Sequence, residues 1–154
     1  LRNAAFKEKI NMSVQKKIDV EWKTNLQFKA KNPKGLSVDF DVPSAHGGDE
    51  TALSPMENVL ASLAACSSLN VLIILKKKRQ KVTSYKIEAT ADKKTDSPPK
   101  VFTKVHLKHI VTGENINPNA VEKAIELSEE KYCSVAAMLK ETVEITSSYK
   151  IIEA

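Results

Sequence analysis

Cysteine, arginine, glycine and aromatic side chains are all scarce in this chain, and each shortage removes a class of function. The two cysteines, Cys66 and Cys133, are too few for a disulfide scaffold, and in a reducing compartment they read as catalytic or buried thiols. The net charge is +5, but of 24 cationic residues only Arg2 and Arg79 are arginine, and aromatics make up 5%. Nucleic-acid recognition relies on arginine forks and interleaved aromatic rings, so the lysine-rich balance is a poor match for it. No apolar run is longer than Val71–Leu75, whereas a membrane span needs roughly 20 residues. The first residues carry no secretory core, so a cytoplasmic location is the expectation. His46, His106 and His109 give no metal-ligand set, because the last two lie three apart on a predicted strand and point to opposite faces. Neither a glycine-rich phosphate loop nor a Ser, His, Asp arrangement is visible, and neither metal nor bound cofactor is expected.

What remains is an ordinary globular composition, 42% apolar and 28% charged over 154 residues, which suits one domain spanning 13–154. Residues 1–12 pattern weakly, so Met12 reads as a possible original start and the segment before it as a flexible arm or an added remnant. From Val14, apolar residues alternate through Ile18, Val20 and Trp22, then through Leu26, Phe28 and Ala30. The cluster Asn32, Pro33, Lys34, Gly35 supplies a turn before the alternation resumes at Leu36, Val38, Phe40 and Val42. The pattern predicts a three-stranded antiparallel meander. Pro43 to Leu53 reads as a loop.

Ser54, Pro55 and Glu57 form a helix start: a serine cap, a proline at the first helical position and a glutamate completing a capping box. The helix is expected to run to about Arg79, where the basic run Lys76, Lys77, Lys78, Arg79 suits the negative end of its dipole. It is apolar nearly all round, more than a chain this size can wrap, which points to a second subunit. Two strands follow, carried by Tyr85 to Ala91 and by Val101 to Val111. Next come a helix opened by Asn117 and Pro118, a break near Tyr132, a short helix from Ser134 to Lys140, and a closing strand through Val143, Ile145, Ser147, Tyr149 and Ile151. This order, β3-α-β2-α2-β, is an α+β domain.

Pro55 stands eleven residues before Cys66, the second thiol opens a late short helix (Tyr132, Cys133, Ser134, Val135, Ala136), and the element order agrees. On these features the chain from about 13 to 153 resembles the OsmC/Ohr family, and most closely its OsmC-like branch. The resemblance implies an intertwined homodimer with a long buried central helix and sites at the subunit interface, and thiol-based reduction of organic hydroperoxides. Cys66 would attack the peroxide and Cys133 would resolve the product, with a dithiol reductant of lipoyl type restoring both. The family pattern places a glutamate directly after the proline and pairs it with an arginine from an early strand. Here Met56 follows Pro55, Glu57 comes one later, and Lys17 and Lys23 are the nearest early cations. Glu57 and Cys66 are nine residues apart on one helix, about 13 Å along its axis and on opposite sides. Glu57 is therefore either a helix cap or a group presented by the partner subunit. Cys133, at a helix start, is expected to gain thiolate character from the dipole. Leu63, Leu69 and Asn70 are expected to shape a pocket. The alternative is a non-catalytic module of the same fold that binds an apolar small molecule, with both thiols structural.

Overall fold

A computed structural model describes residues 14–154, so the expectations for residues 1–12 lie outside it. Contacts cluster into two compact units, one ending at Ser54 and the other running Pro55–Ala154. The first holds the meander: β1 (Asp19–Thr24), β2 (Gln27–Lys31) and β3 (Ser37–Phe40), antiparallel in that order. The strands are shorter than the apolar alternation suggests. β1 begins at Asp19 because its last partner on β2 is Lys31, beyond which the chain turns. The Asn32 side chain accepts from the backbone N–H groups of Lys34 and Leu36, and Gly35 supplies the positive φ of 82° that this turn needs. Cross-strand register aligns Val20, Ala30 and Val38 in one row and Trp22, Phe28 and Phe40 in the next. That apolar face is left open, with Trp22 66% and Val20 61% exposed.

The loop after β3 is ordered by one carboxylate. Asp41 is fully buried and accepts from the backbone N–H groups of Thr51, Val42 and Asp49 and from the Thr51 hydroxyl. These donors, the Thr51 N–H foremost, hold its pKa down to about 2 against the opposing effect of burial. Gly48 lies so close to the Val42 carbonyl that a Cβ there would sit 1.9 Å from the oxygen, so only glycine fits.

The second unit is a two-layer sandwich of helices on a sheet. Helix α1 (Pro55–Lys77) leads into β4 (Lys81–Lys93) and β5 (Phe102–Glu114), which pair antiparallel. α2 (Pro118–Leu127), a π-helical turn (Ser128–Tyr132) and α3 (Ser134–Leu139) then form the crossover to β6 (Glu144–Glu153), which pairs parallel to β5. Strict alternation buries Val105, Leu107, His109 and Val111 under the helices and turns His106 outward, where its ring meets the Thr146 and Ser148 hydroxyls. The opposite-face expectation for the two histidines holds. α1 ends two residues earlier than expected, since Arg79 takes a left-handed conformation (φ 56°) and the Gln80 N–H returns to the Leu75 carbonyl.

Helix α1 carries two apolar stripes. Leu63, Ala64, Ser67, Val71, Ile74 and Leu75 face the sheet and α2, as a 3.6-residue period requires. On the far side Leu69, Leu72 and Ile73 stay exposed, so a single chain covers one face of this helix rather than nearly all of it. By length and composition α1 could cross a membrane, with a mean hydropathy of 1.9 in its most apolar window. The serines and asparagine that interrupt it hide this from a count of unbroken runs. Its packing into both core clusters makes it a core helix.

Those clusters flank a polar waist. One gathers Val71, Leu75, Val111, Val121 and Ile125, the other Leu63, Val105, Leu107, Cys133 and Ala136. Between them in sequence along α1 and β5 come Ser67, Ser68 and His109. The Tyr85 hydroxyl meets His109 Nδ1 in a short hydrogen bond, and His109 Nε2 has no partner among the described residues.

Candidate functional site: a thiol pair at a helix start

Cys66 lies midway along α1, half-buried, and Cys133 is the N-cap of α3, only 2% exposed. The two residues pack in the same core cluster, and neither is in a disulfide. The first N–H groups of any helix lack intrahelical partners. Here those of Val135 and Ser134 are directed at Cys66, while that of Ala136 goes to Cys133 Sγ at 3.4 Å. The Asn70 amide adds a hydrogen bond to the Cys66 carbonyl at 2.9 Å.

This arrangement separates the two thiols electrostatically. Burial pushes the Cys66 pKa up, but the Val135 N–H, the Cys133 thiol and the Ser134 N–H together outweigh it and leave Cys66 below the ordinary thiol range. Cys133 goes the other way, to about 11. Burial is the largest cause, and the hydrogen bond to Cys66 and the charge on that sulfur add to it. The helix start therefore does not make Cys133 the thiolate, contrary to expectation. The N–H groups of Val135 and Ser134 tip the balance at Cys66, whereas at Cys133 burial outweighs those of Ala136 and Val135 and the thiol keeps its proton.

Glu57 is not brought to the thiols. It sits exposed in the first turn of α1, nine residues from Cys66 and thus about 13 Å along the helix. Among the described residues no side-chain cation is a cause of the Cys66 shift; the causes that lower it are the Val135 and Ser134 N–H groups and the Cys133 thiol. Leu63 is fully buried in the second core cluster. Leu69 is 63% exposed.

A family model described as OsmC-like protein matches residues 46–148. The chain belongs to the OsmC-like family. Protein YhfA of Escherichia coli K12 is 39% identical over 135 residues, covering 88% of this chain and 97% of that protein. Among solved structures, a hypothetical protein from Aquifex aeolicus is 31% identical, with a TM-score of 0.80 over 92% of this chain and 99% of that one. An organic hydroperoxide resistance protein from Legionella pneumophila, at 18% identity and a TM-score of 0.67 over 90% and 99%, shares the fold. The α+β architecture read from the sequence is that of these OsmC-like structures.

Two features of the site were not legible in advance. The π turn ahead of Cys133 appeared only as a break in helical periodicity, and the donors to Cys66 are main-chain groups that no side-chain motif records. The run Tyr132-Cys133-Ser134, a small polar-like residue opening a helix, was the available signal for a cysteine cap.

Proposed function

We propose that this protein is a thiol-dependent peroxidase that reduces organic hydroperoxides. The observation that carries the reading is the packing of Cys66 in the same cluster as Cys133 at the start of α3, and the opposed directions of their pKa shifts agree with it. The Cys66 thiolate attacks the terminal oxygen of ROOH; the O–O bond breaks, Cys66 becomes a sulfenic acid, and the alkoxide leaves and takes a proton as ROH. Oxidation removes the negative sulfur that Cys133 had been donating to, and with it the charge that opposed ionisation of Cys133. The Cys133 sulfur then attacks the sulfenic sulfur, water departs, and a Cys66–Cys133 disulfide forms. An external dithiol, lipoyl-type in the better-known relatives that the sequence resembles, returns both thiols by exchange.

The protein acts as a homodimer in this reading. Support comes from the open stripe of Leu69, Leu72 and Ile73 on α1 and from the open apolar face of the β1–β3 sheet, both of which a second copy would cover. A dimer also gives Glu57 a way to reach a thiol pair, from the other subunit. Hydroperoxide as substrate fits the name of the Legionella pneumophila relative.

The test is to mix reduced protein with stoichiometric cumene hydroperoxide or hydrogen peroxide and follow thiol count and intact mass. Rapid loss of both thiols, faster with the organic peroxide and abolished in Cys66→Ser, is expected. Loss at the rate of an unactivated thiol would overturn the peroxidase reading and leave a small-molecule-binding module, the reading favoured by Met56 in the position of the family glutamate.

A further inference from the structure

The π turn and a pair of buried serines determine where the second thiol points. Five residues of α-helix rotate by about 500°, which leaves residue i+5 about 140° away from residue i. Between Ser128 and Cys133 the chain instead closes a wider turn, with the Cys133 N–H bonded to the Ser128 carbonyl at 2.7 Å. Cys133 thereby returns to the side of Ser128, and Ser128 faces α1. Its hydroxyl lies 3.5 Å from that of Ser67 and 3.3 Å from the Ser67 carbonyl, and both residues are fully buried. Ser67 is the residue next to Cys66. Two neighbouring contacts, Ser67 with Ser128 and Cys66 with Cys133, thus join the same two elements, one through hydroxyls and one through thiols.

From this geometry we infer that Ser128 is a positioning residue for disulfide formation: it anchors the π turn to α1 and so holds the Cys133 sulfur against Cys66. The inference deepens the peroxidase reading without depending on peroxide chemistry, because any reaction that closes the disulfide needs the same approach. In the peroxide route the step is Cys66–SOH plus Cys133–SH giving the disulfide and water. With glutathione disulfide as oxidant it is the mixed disulfide on Cys66 plus Cys133–SH giving the disulfide and free glutathione.

Wild type, Ser128→Ala, Ser67→Ala and the double variant would be followed by intact mass after each oxidant, which resolves sulfenic acid, mixed disulfide and internal disulfide. Ser128→Ala removes both contacts but keeps the backbone bond of the π turn. Closure of the internal disulfide is expected to slow about fivefold, the scale of one buried hydrogen bond, while formation of the sulfenic acid or mixed disulfide on Cys66 keeps its wild-type rate. Ser67→Ala retains the carbonyl acceptor and should slow closure less, and the double variant should be no slower than Ser128→Ala. Closure at the wild-type rate in Ser128→Ala would overturn the inference, as would equal slowing of both steps together with a lowered melting temperature, the mark of a merely structural serine. If wild type ignores peroxide yet Ser128→Ala still slows closure from the mixed disulfide, the peroxidase reading fails and the positioning role stands.

Discussion

Separating the two thiols by ionisation makes a measurable demand. With its pKa at about 11 instead of the ordinary 9.0, Cys133 is ionised in roughly one molecule in ten thousand at neutral pH, against about one in a hundred for an unperturbed thiol. Ultraviolet titration of the thiolate band should therefore show one ionisation below 9 and the next only near 11. Haloacetamide labelling at neutral pH should modify Cys66 alone, with Cys133 slower by about a hundredfold or more. Variants separate the causes. In Cys66→Ser the neighbouring charge is gone but burial remains, so Cys133 should titrate below 11 and still above 9. In Cys133→Ala the Cys66 thiolate loses a donor, and its transition should rise. The linked stability follows in sign: a depressed Cys66 binds fewer protons folded than unfolded, so stability rises with pH up to about 9. A raised Cys133 binds more, so stability falls between about 9 and 11. Two transitions at ordinary thiol values, or a Cys66→Ser variant in which Cys133 stays at 11, would refute the electrostatic coupling of the pair.

His109, with its pKa lowered to about 4 chiefly by burial and secondarily by His106, must take up a proton on unfolding once the pH drops below its ordinary 6.5. Urea midpoints should therefore fall between pH 6.5 and 4, and that slope should be reduced in His109→Leu. Leu107, 1% exposed at the centre of the second cluster, should cost about 3 kcal/mol or more as Leu107→Ala by chemical denaturation. Ile73→Lys places a charge in the open stripe of α1, where burying each large apolar side chain contributes about 1.5–3 kcal/mol; the proposed homodimer predicts that sedimentation shows the unaltered chain as dimers and this variant as monomers.

Much of this molecule could be read from residue order, and the boundary of legibility is physical. Alternation at Val20, Trp22, Phe28 and Val38 announced the meander, and Ser54 with Pro55 announced the start of α1, because both signals are local. Alternation does not carry direction, so β6 could be seen as a strand but not as a parallel neighbour of β5. The extent of β1 was misjudged because pairing, not apolar spacing, ends a strand. At the site, Cys66 and Cys133 could be named, but not which would hold the proton: that depends on main-chain N–H groups of Ser134 and Val135 supplied across the fold. Ser67 reads in the sequence only as a polar break in a buried helix, and nothing there marks Ser128, which the π turn sets against it.

The chain between Cys66 and Cys133 runs through the second half of α1, β4, β5, α2 and the π turn, so a bond between the two sulfurs would close all of these into a single covalent ring. Closing a ring of that length removes disorder from the unfolded chain worth about 4 kcal/mol, on the order of half the total stability of a typical domain. Reduced protein has no such ring, so closing it by any oxidant would be recorded as a resistance to unfolding.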